Sequence, residues 1–474
     1  MVDWCTVSAT ELGAAYRDGR ATPVEVLEQV LARCERLNPA LNAIITLDAE
    51  AARHAALASE ARWRAGESRG PLDGVPLTVK DSILVRGLRA TWGSRLYADF
   101  VPGCDELPVA RLRAAGAVIV GKTNVPEFTL QGYTDNPLFG ATRNPWNPAL
   151  TPGGSSGGAV AAVAAGFGPL ALCTDGGGSI RRPASHTGLV GFKPSRGRVP
   201  RCDGFPAILL DYEVVGPIAR TVRDIVLALN AICEPDPRDP ASLAFVQAPF
   251  RAPDKPPRCR ILYLPSIGDA PVDPDIARSV AAAARSLERQ GHRVEESTHF
   301  DFVDSVNQVW PVVSQVGLAW LLDRHGAARD KVGAAIATMA ESGKSVAATD
   351  YFDALATVRA LGPRLAALFA NHELLLMPSA AALPWPATET HPASIAGRSV
   401  GPRGHAVFTA FANAAGLPAI TLPCMPSPDG LPIGFQLVAA SGNDGLLCAV
   451  GAQFEDAQPW ARRWPALCAE RAAA

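Results

Sequence analysis

The chain has 474 residues, a formal net charge of −2, 19% charged residues and 48% in the hydrophobic class, which is enough to bury a large core and excludes a disordered protein. Its 42 glycines and 41 prolines exceed the roughly 12% of average usage, a composition that predicts many ordered turns and disfavours a regular helix bundle. The near-neutral balance gives no basic surface for nucleic-acid phosphates, so no nucleic acid and no membrane is expected as a partner.

Helical and strand signals alternate along the whole chain. Thr22-Pro23-x-Glu25 has the form of a capping box with proline at the first helical position, and predicts a helix to about Leu37. Asp48 to Ala65 and Leu107 to Ala115 read as further helices, the latter feeding a short strand at Val118-Ile119-Val120. A small-residue helix is predicted over Ala159 to Ala165. Beyond the Pro-rich patch Glu234 to Pro257, strands are expected at Ile261 to Leu264 and Leu374 to Met377, with a helix opening at Asp273-Pro274 and ending near Gln290-Gly291. This order predicts an α/β fold with a mixed sheet and helices outside it. The region 236–400 is more helical and carries no motif, and is expected to act as a cap over a site built elsewhere.

The ten cysteines include no Cys-x-x-Cys pair and read as reduced, mostly packed thiols. The start Met1-Val2-Asp3-Trp4-Cys5 lacks a secretory pattern, and the longest apolar run, Ala159 to Cys173, contains Pro169 and is shorter than the ~20 residues of a spanning helix. A cytoplasmic location is therefore expected.

Two motifs mislead. Gly116 to Thr123 matches a phosphate-loop pattern, but its middle residues, Ala117 to Val120, are the strand itself, so no nucleotide site is expected. Gly153-Gly154-Ser155-Ser156-Gly157 contains Gly-x-Ser-x-Gly, yet the preceding Asn144 to Pro152 cannot form the strand of a nucleophile elbow. The loop remains a place to hold a hydroxyl ahead of a helix N-terminus.

A third cluster, Asp175-Gly176-Gly177-Gly178-Ser179-Ile180-Arg181, sets three glycines before a serine, so that backbone N–H groups can converge as an oxyanion hole requires. Ser179 is the candidate nucleophile, and the competing reading is an ordinary glycine turn. His186 follows seven residues later and could act as its base, though a packed histidine is the more common role. Only six lysines occur against 38 arginines. Lys80 ends the apolar run Gly74 to Val79, where desolvation would favour the neutral amine; alternatively it pairs with neighbouring Asp81.

Taken together these segments resemble the amidase signature family. The matching stretches are Leu72 to Pro76 with Lys80-Asp81, Val120 to Asn124 with Pro126-Glu127-Phe128, Asn136-Pro137, Arg143 to Trp146, Pro152 to Gly158, Asp175 to Ala184 and Gly191 to Pro194. The likeness is strong from Leu72 to Pro217 and returns at Ala415 to Pro418 and Pro432 to Gln436. It implies a single domain over 1–474 with its catalytic motifs in 72–217, built on a large, twisted mixed β-sheet with helices on both faces. It also implies Ser179 as nucleophile, Ser155 as proton relay and Lys80 as base, with a cis peptide between Gly154 and Ser155. The oxyanion hole would be formed by the amides of Gly176, Gly177, Gly178 and Ser179, with no metal and no cofactor. Two departures stand out: Gly176 occupies a position commonly held by a larger residue, and Cys173 replaces a commoner glycine or serine.

The expected function is hydrolysis of carboxylic amide C–N bonds through an acyl-serine intermediate. A small-molecule amide is the expected substrate, and aryl amides, carbamates (urethanes) and esters are within reach of the same chemistry. Phe128, Leu130 and Gln131 are candidates for substrate binding, with Trp310 and Trp320 as further apolar candidates, and a homodimer is compatible with the sequence. The competing readings are a glutaminase A-type subunit of a tRNA-dependent amidotransferase, and a non-catalytic binding protein on the same scaffold.

Overall fold

The computed structural model describes residues 2–300, 303–326 and 328–469. Among these residues the main sheet has eleven strands, in the spatial order Ile44–Leu47, Val118–Thr123, Pro76–Lys80, Leu170–Asp175, Val214–Ala219, Val190–Lys193, Ala419–Pro423, Gly434–Ala439, Leu374–Pro378, Arg260–Tyr263 and Arg293–Glu296. Pro76–Lys80 runs parallel to both its neighbours. The strands from Leu170–Asp175 across to Leu374–Pro378 pair antiparallel, so the sheet is mixed.

Strands covered on both faces read as unbroken apolar runs, because alternate side chains enter different cores. Leu170 and Leu172 join Leu77, Val79 and residues such as Ile225, Val280 and Phe454 of the helices Val222–Ile232, Pro274–Arg289 and Asp444–Ala457. Their neighbours Ala171 and Cys173 instead pack with Ala159, Val160 and Val163 of the helix Gly157–Ala165. Farther across the sheet, Leu374 and Leu376 face the first core while Leu375 and Met377 face one containing Trp310 and Val313. Helices therefore cover both faces.

Local chemistry sets both ends of the helix Pro23–Leu41. Thr22 accepts the Glu25 N–H at 3.2 Å and starts the helix Pro23–Leu41. The reciprocal half of the expected capping box is absent because the Glu25 carboxylate accepts the Trp4 indole N–H at 2.9 Å. This helix runs a turn beyond Leu37 and stops at Asn42, whose φ of 50° lies in the left-handed region. The sheet continues unbroken across the Pro-rich segment 234–257, with Arg260–Tyr263 and Arg293–Glu296 extending its far edge. Within 236–400, the helices Asp304–Arg324 and Ala334–Lys344 pack Leu318, Leu321 and Ile336 against Trp92, Phe128 and Leu209.

The N-terminal helix Ala9–Arg17 is tied to the body by a distant carboxylate. Asp224 accepts the N–H groups of Ala9 and Thr10 at 3.0 and 2.9 Å and the Thr10 hydroxyl at 2.8 Å, all buried or partly buried. Asp224→Ala would leave these donors without their acceptor. Its denaturant unfolding midpoint should fall by the equivalent of about 2 kcal/mol, in the range for hydrogen bonds to a charged group.

Candidate active site

Lys80 is the last residue of its strand, and the parallel register carries it to the same edge as the end of Leu170–Asp175. Carboxyl ends of parallel strands are where open α/β sheets present their sites. The Lys80 Nζ lies 2.8 Å from Ser155 Oγ, 3.0 Å from Thr174 Oγ1 and 3.2 Å from the Thr174 carbonyl oxygen. All three partners are neutral and the side chain is fully buried. Burial pushes its pKa down to about 8, against the opposing pull of Glu213, Cys173 and Asp175. Asp81 does not pair with Lys80: its Oδ1 lies 3.5 Å from Nζ of Lys122, and its Oδ2 accepts the Thr91 hydroxyl at 2.6 Å. Lys122 is thus a buried strand residue facing Asp81, and its Gly-Lys-Thr segment forms no phosphate loop.

Ser155 follows a cis peptide bond at Gly154-Ser155. The loop is held by two threonines. Thr134 donates its hydroxyl to the Gly153 carbonyl at 2.9 Å and accepts the Gly157 N–H at 3.1 Å, while Thr151 accepts the Gly153 N–H at 3.1 Å. A side chain at Gly154 would overlap the Tyr133 backbone. The helix Gly157–Ala165 begins two residues after Ser155.

The glycine loop is organised by Asp175. Its carboxylate accepts the N–H of Gly178 at 2.7 Å and of Ile180 at 3.0 Å, and meets Arg181 through Nε and Nη2 at 3.1 and 3.0 Å. Burial alone would raise its pKa, but the Arg181 guanidinium holds it well below the usual carboxylate range. The C-terminal half of the chain buttresses this pair: Asn413 bonds both Asp175 and Arg181, Gln436 accepts from Arg181 at 3.0 Å, and the Thr409 hydroxyl donates to the Gly177 carbonyl at 2.7 Å.

These contacts bear on which loop amides are free to donate. The Gly178 N–H is already committed to Asp175, so Gly178 supplies conformation (φ 116°) and not a free donor. Among the described residues no protein acceptor meets the N–H groups of Gly176, Gly177 or Ser179. These three residues line one cleft. A Cβ at Gly176 would meet Leu209 Cδ1 at 2.6 Å, so Leu209 fills the space that a larger residue at 176 would take.

Leu130, Gln131 and Trp310 also line this cleft. Phe128 does not: it is fully buried, edge-on to Trp92 with ring centres 5.3 Å apart. Trp320 is 46% exposed and lies outside the cleft lining. His186 is not joined to Ser179: its Nε2 lies 3.1 Å from the Ala382 carbonyl oxygen, and burial pushes its pKa down to about 4. Sequence reasoning missed Arg182, Arg403 and His405, which form another part of the cleft wall. Of the three, only Arg182 lies within a family-like motif, Asp175 to Ala184, and nothing in that motif marks it as a cleft residue.

Among the described residues, no group of three or more acidic, histidine or cysteine side chains is arranged to hold a metal, and no helix is long and apolar enough to cross a membrane. The Amidase family model matches residues 25–448. The acylamidase of Rhodococcus erythropolis is 34% identical over 97% of each chain. The A-type subunit of the glutamyl-tRNA(Gln) amidotransferase of Synechococcus sp. (strain CC9605) is 36% identical over 93% of this chain and 94% of that protein. The solved structure of 6-aminohexanoate cyclic dimer hydrolase with substrate superposes with a TM-score of 0.87 at 32% identity, covering 98% of this chain and 100% of that one. A family match across residues 25–448, with end-to-end relatives that share its fold, makes this chain a member of the Amidase family, enzymes that act on amide C–N bonds.

Proposed function

We propose that the chain is a cytoplasmic serine amidohydrolase in which Ser179 is the nucleophile, Ser155 the proton relay and Lys80 the base. One observation carries the reading: a fully buried lysine amine with only neutral partners, 2.8 Å from Ser155 Oγ, whose pKa is pushed down to about 8. A neutral amine keeps two N–H bonds and a lone pair. The N–H groups can serve the Thr174 carbonyl and hydroxyl oxygens, leaving the lone pair for the Ser155 proton.

In this mechanism Ser155 passes its proton to Lys80 as it takes one from Ser179, whose oxygen attacks the amide carbonyl. The carbonyl oxygen becomes an oxyanion that the amides of Gly176, Gly177 and Ser179 can bind without reorganising. The relay then returns the proton to the leaving amine, freeing it, and a water activated by the same relay attacks the acyl-serine to release the acid. The Asp175–Arg181 pair positions these amides by fixing Gly178 and Ile180. The ten free cysteines suit a reducing compartment. Carbamates and esters present the same carbonyl geometry and belong to the proposed substrate range.

A glutaminase role within a larger amidotransferase is the second reading, favoured by the 36% identity to the A-type component of such an enzyme. Glutamine turnover that appears only with partner subunits would support it; efficient cleavage of simple anilides by the isolated chain would oppose it.

Ser179→Ala should lower hydrolysis by about 10⁴-fold or more and abolish fluorophosphonate labelling. Retention of either would overturn the assignment. Because the neutral amine is the active form, kcat/KM should rise about tenfold per pH unit below the Lys80 pKa of about 8 and level off above it. A profile flat from acid to alkaline pH would contradict Lys80 as base. Gly178→Ala would place a side chain at φ 116° against the Thr409 side chain. Its displaced loop should cost about 10²-fold in kcat, measured beside the melting temperature.

A further inference from the structure

The cleft that contains Ser179 has an electrostatic feature that the proposed mechanism does not use. Arg182, three residues after Ser179, is 6% exposed and lines the cleft, yet its Nε has no hydrogen-bond partner. Arg403 lines the same wall, and its Nη2 is buried and equally unpartnered. The same wall carries His405, 2% exposed, with neither ring nitrogen bonded. Among the described residues no carboxylate forms an ion pair with either arginine. The acid that acts on Arg182 is Asp175, whose oxygens are taken by Arg181 and the loop amides. The groups bearing on His405 are Arg182, His186, Arg403 and His391, with no acid among them.

A buried guanidinium is normally matched by a carboxylate, since an unpaired charge in a desolvated site is strongly unfavourable. The half-buried Arg403 on the same wall repels it, and burial together with Arg403 pushes the Arg182 pKa down to about 9. An arrangement of this kind is complementary to an anion supplied from outside, and a planar guanidinium fork suits a carboxylate best. Leu130, Leu209 and Trp310 in the same lining suit a short hydrocarbon segment.

Resting on the amidohydrolase reading, we propose that the preferred substrate is an amide bearing a free carboxylate, which Arg182 and Arg403 bind in the cleft beside Ser179. The other source of the same chemistry is a free inorganic anion, which would occupy the wall and compete with substrate.

The test uses the full chain and two matched substrates, hexanoyl para-nitroanilide and the mono-para-nitroanilide of adipic acid. Wild-type kcat/KM should favour the acid by about tenfold or more, chiefly through KM, the scale of a charge-assisted hydrogen bond. Arg182→Gln and Arg403→Gln should each reduce that ratio by about tenfold, with Arg182→Lys recovering part of it. Adipate should inhibit cleavage of the neutral anilide competitively and more strongly than inorganic phosphate or chloride.

A wild-type ratio at or below unity, or a ratio unchanged in both glutamine variants, would overturn the carboxylate assignment while leaving the amidohydrolase reading intact. Inhibition by phosphate equal to that by adipate would also overturn it, in favour of a free-anion site. Absence of cleavage of both anilides, with no fluorophosphonate labelling of Ser179, would overturn the amidohydrolase reading itself and this inference with it. If the variants do not fold, the wild-type ratio and the adipate inhibition decide the question.

Discussion

Lys80 sits where an ammonium group is poorly tolerated: it is fully buried, its three polar partners are neutral, and Asp81 beside it faces another lysine. Desolvation therefore acts on this amine without a nearby ion pair to cancel it, and the neutral form becomes accessible close to physiological pH. Much of the surrounding architecture serves that condition. Parallel pairing of Pro76–Lys80 with Leu170–Asp175 brings the lysine to Thr174, and helices on both faces of the sheet exclude water from the strand ends.

The glycine loop depends on the opposite treatment of charge. Asp175 and Arg181 are both fully buried, but they face each other and are surrounded by donors and acceptors, so the Asp175 carboxylate stays ionised. A buried pair of this kind is weak evidence for stability and better understood as a device for fixing geometry. Here it consumes the Gly178 and Ile180 amides, while those of Gly176, Gly177 and Ser179, three residues of the cleft lining, meet no protein acceptor among the described residues. Arg182, one residue farther on, has no such partner, and this contrast between adjacent arginines singles out the cleft wall as a place for an incoming anion.

Legibility in the sequence followed the range of the interactions. The helix starts at Thr22, Asp48 and Asp273 could be read because capping is local, and the apolar strands because each face meets a core. Ser155, Ser179 and Lys80 could be nominated because glycine-rich loops and a strand-terminal lysine have local signatures. Asn413, Thr409 and Gln436 could not, since their contacts span more than 200 residues of chain. Phe128 and Trp310 show the same limit: both are apolar aromatics in the sequence, but only packing turns one into the core beside Trp92 and the other onto the cleft. Nor does any sequence pattern reveal that the Asp175 carboxylate already accepts the Gly178 N–H.

The account stands on the charge state of one amine, and that can be observed without substrate. A heteronuclear NMR titration following the Lys80 side-chain nitrogen in the folded chain should show a midpoint near pH 8. A midpoint at the ordinary lysine value of about 10.4 would mean that the amine is protonated throughout the working range, and would contradict its role as base.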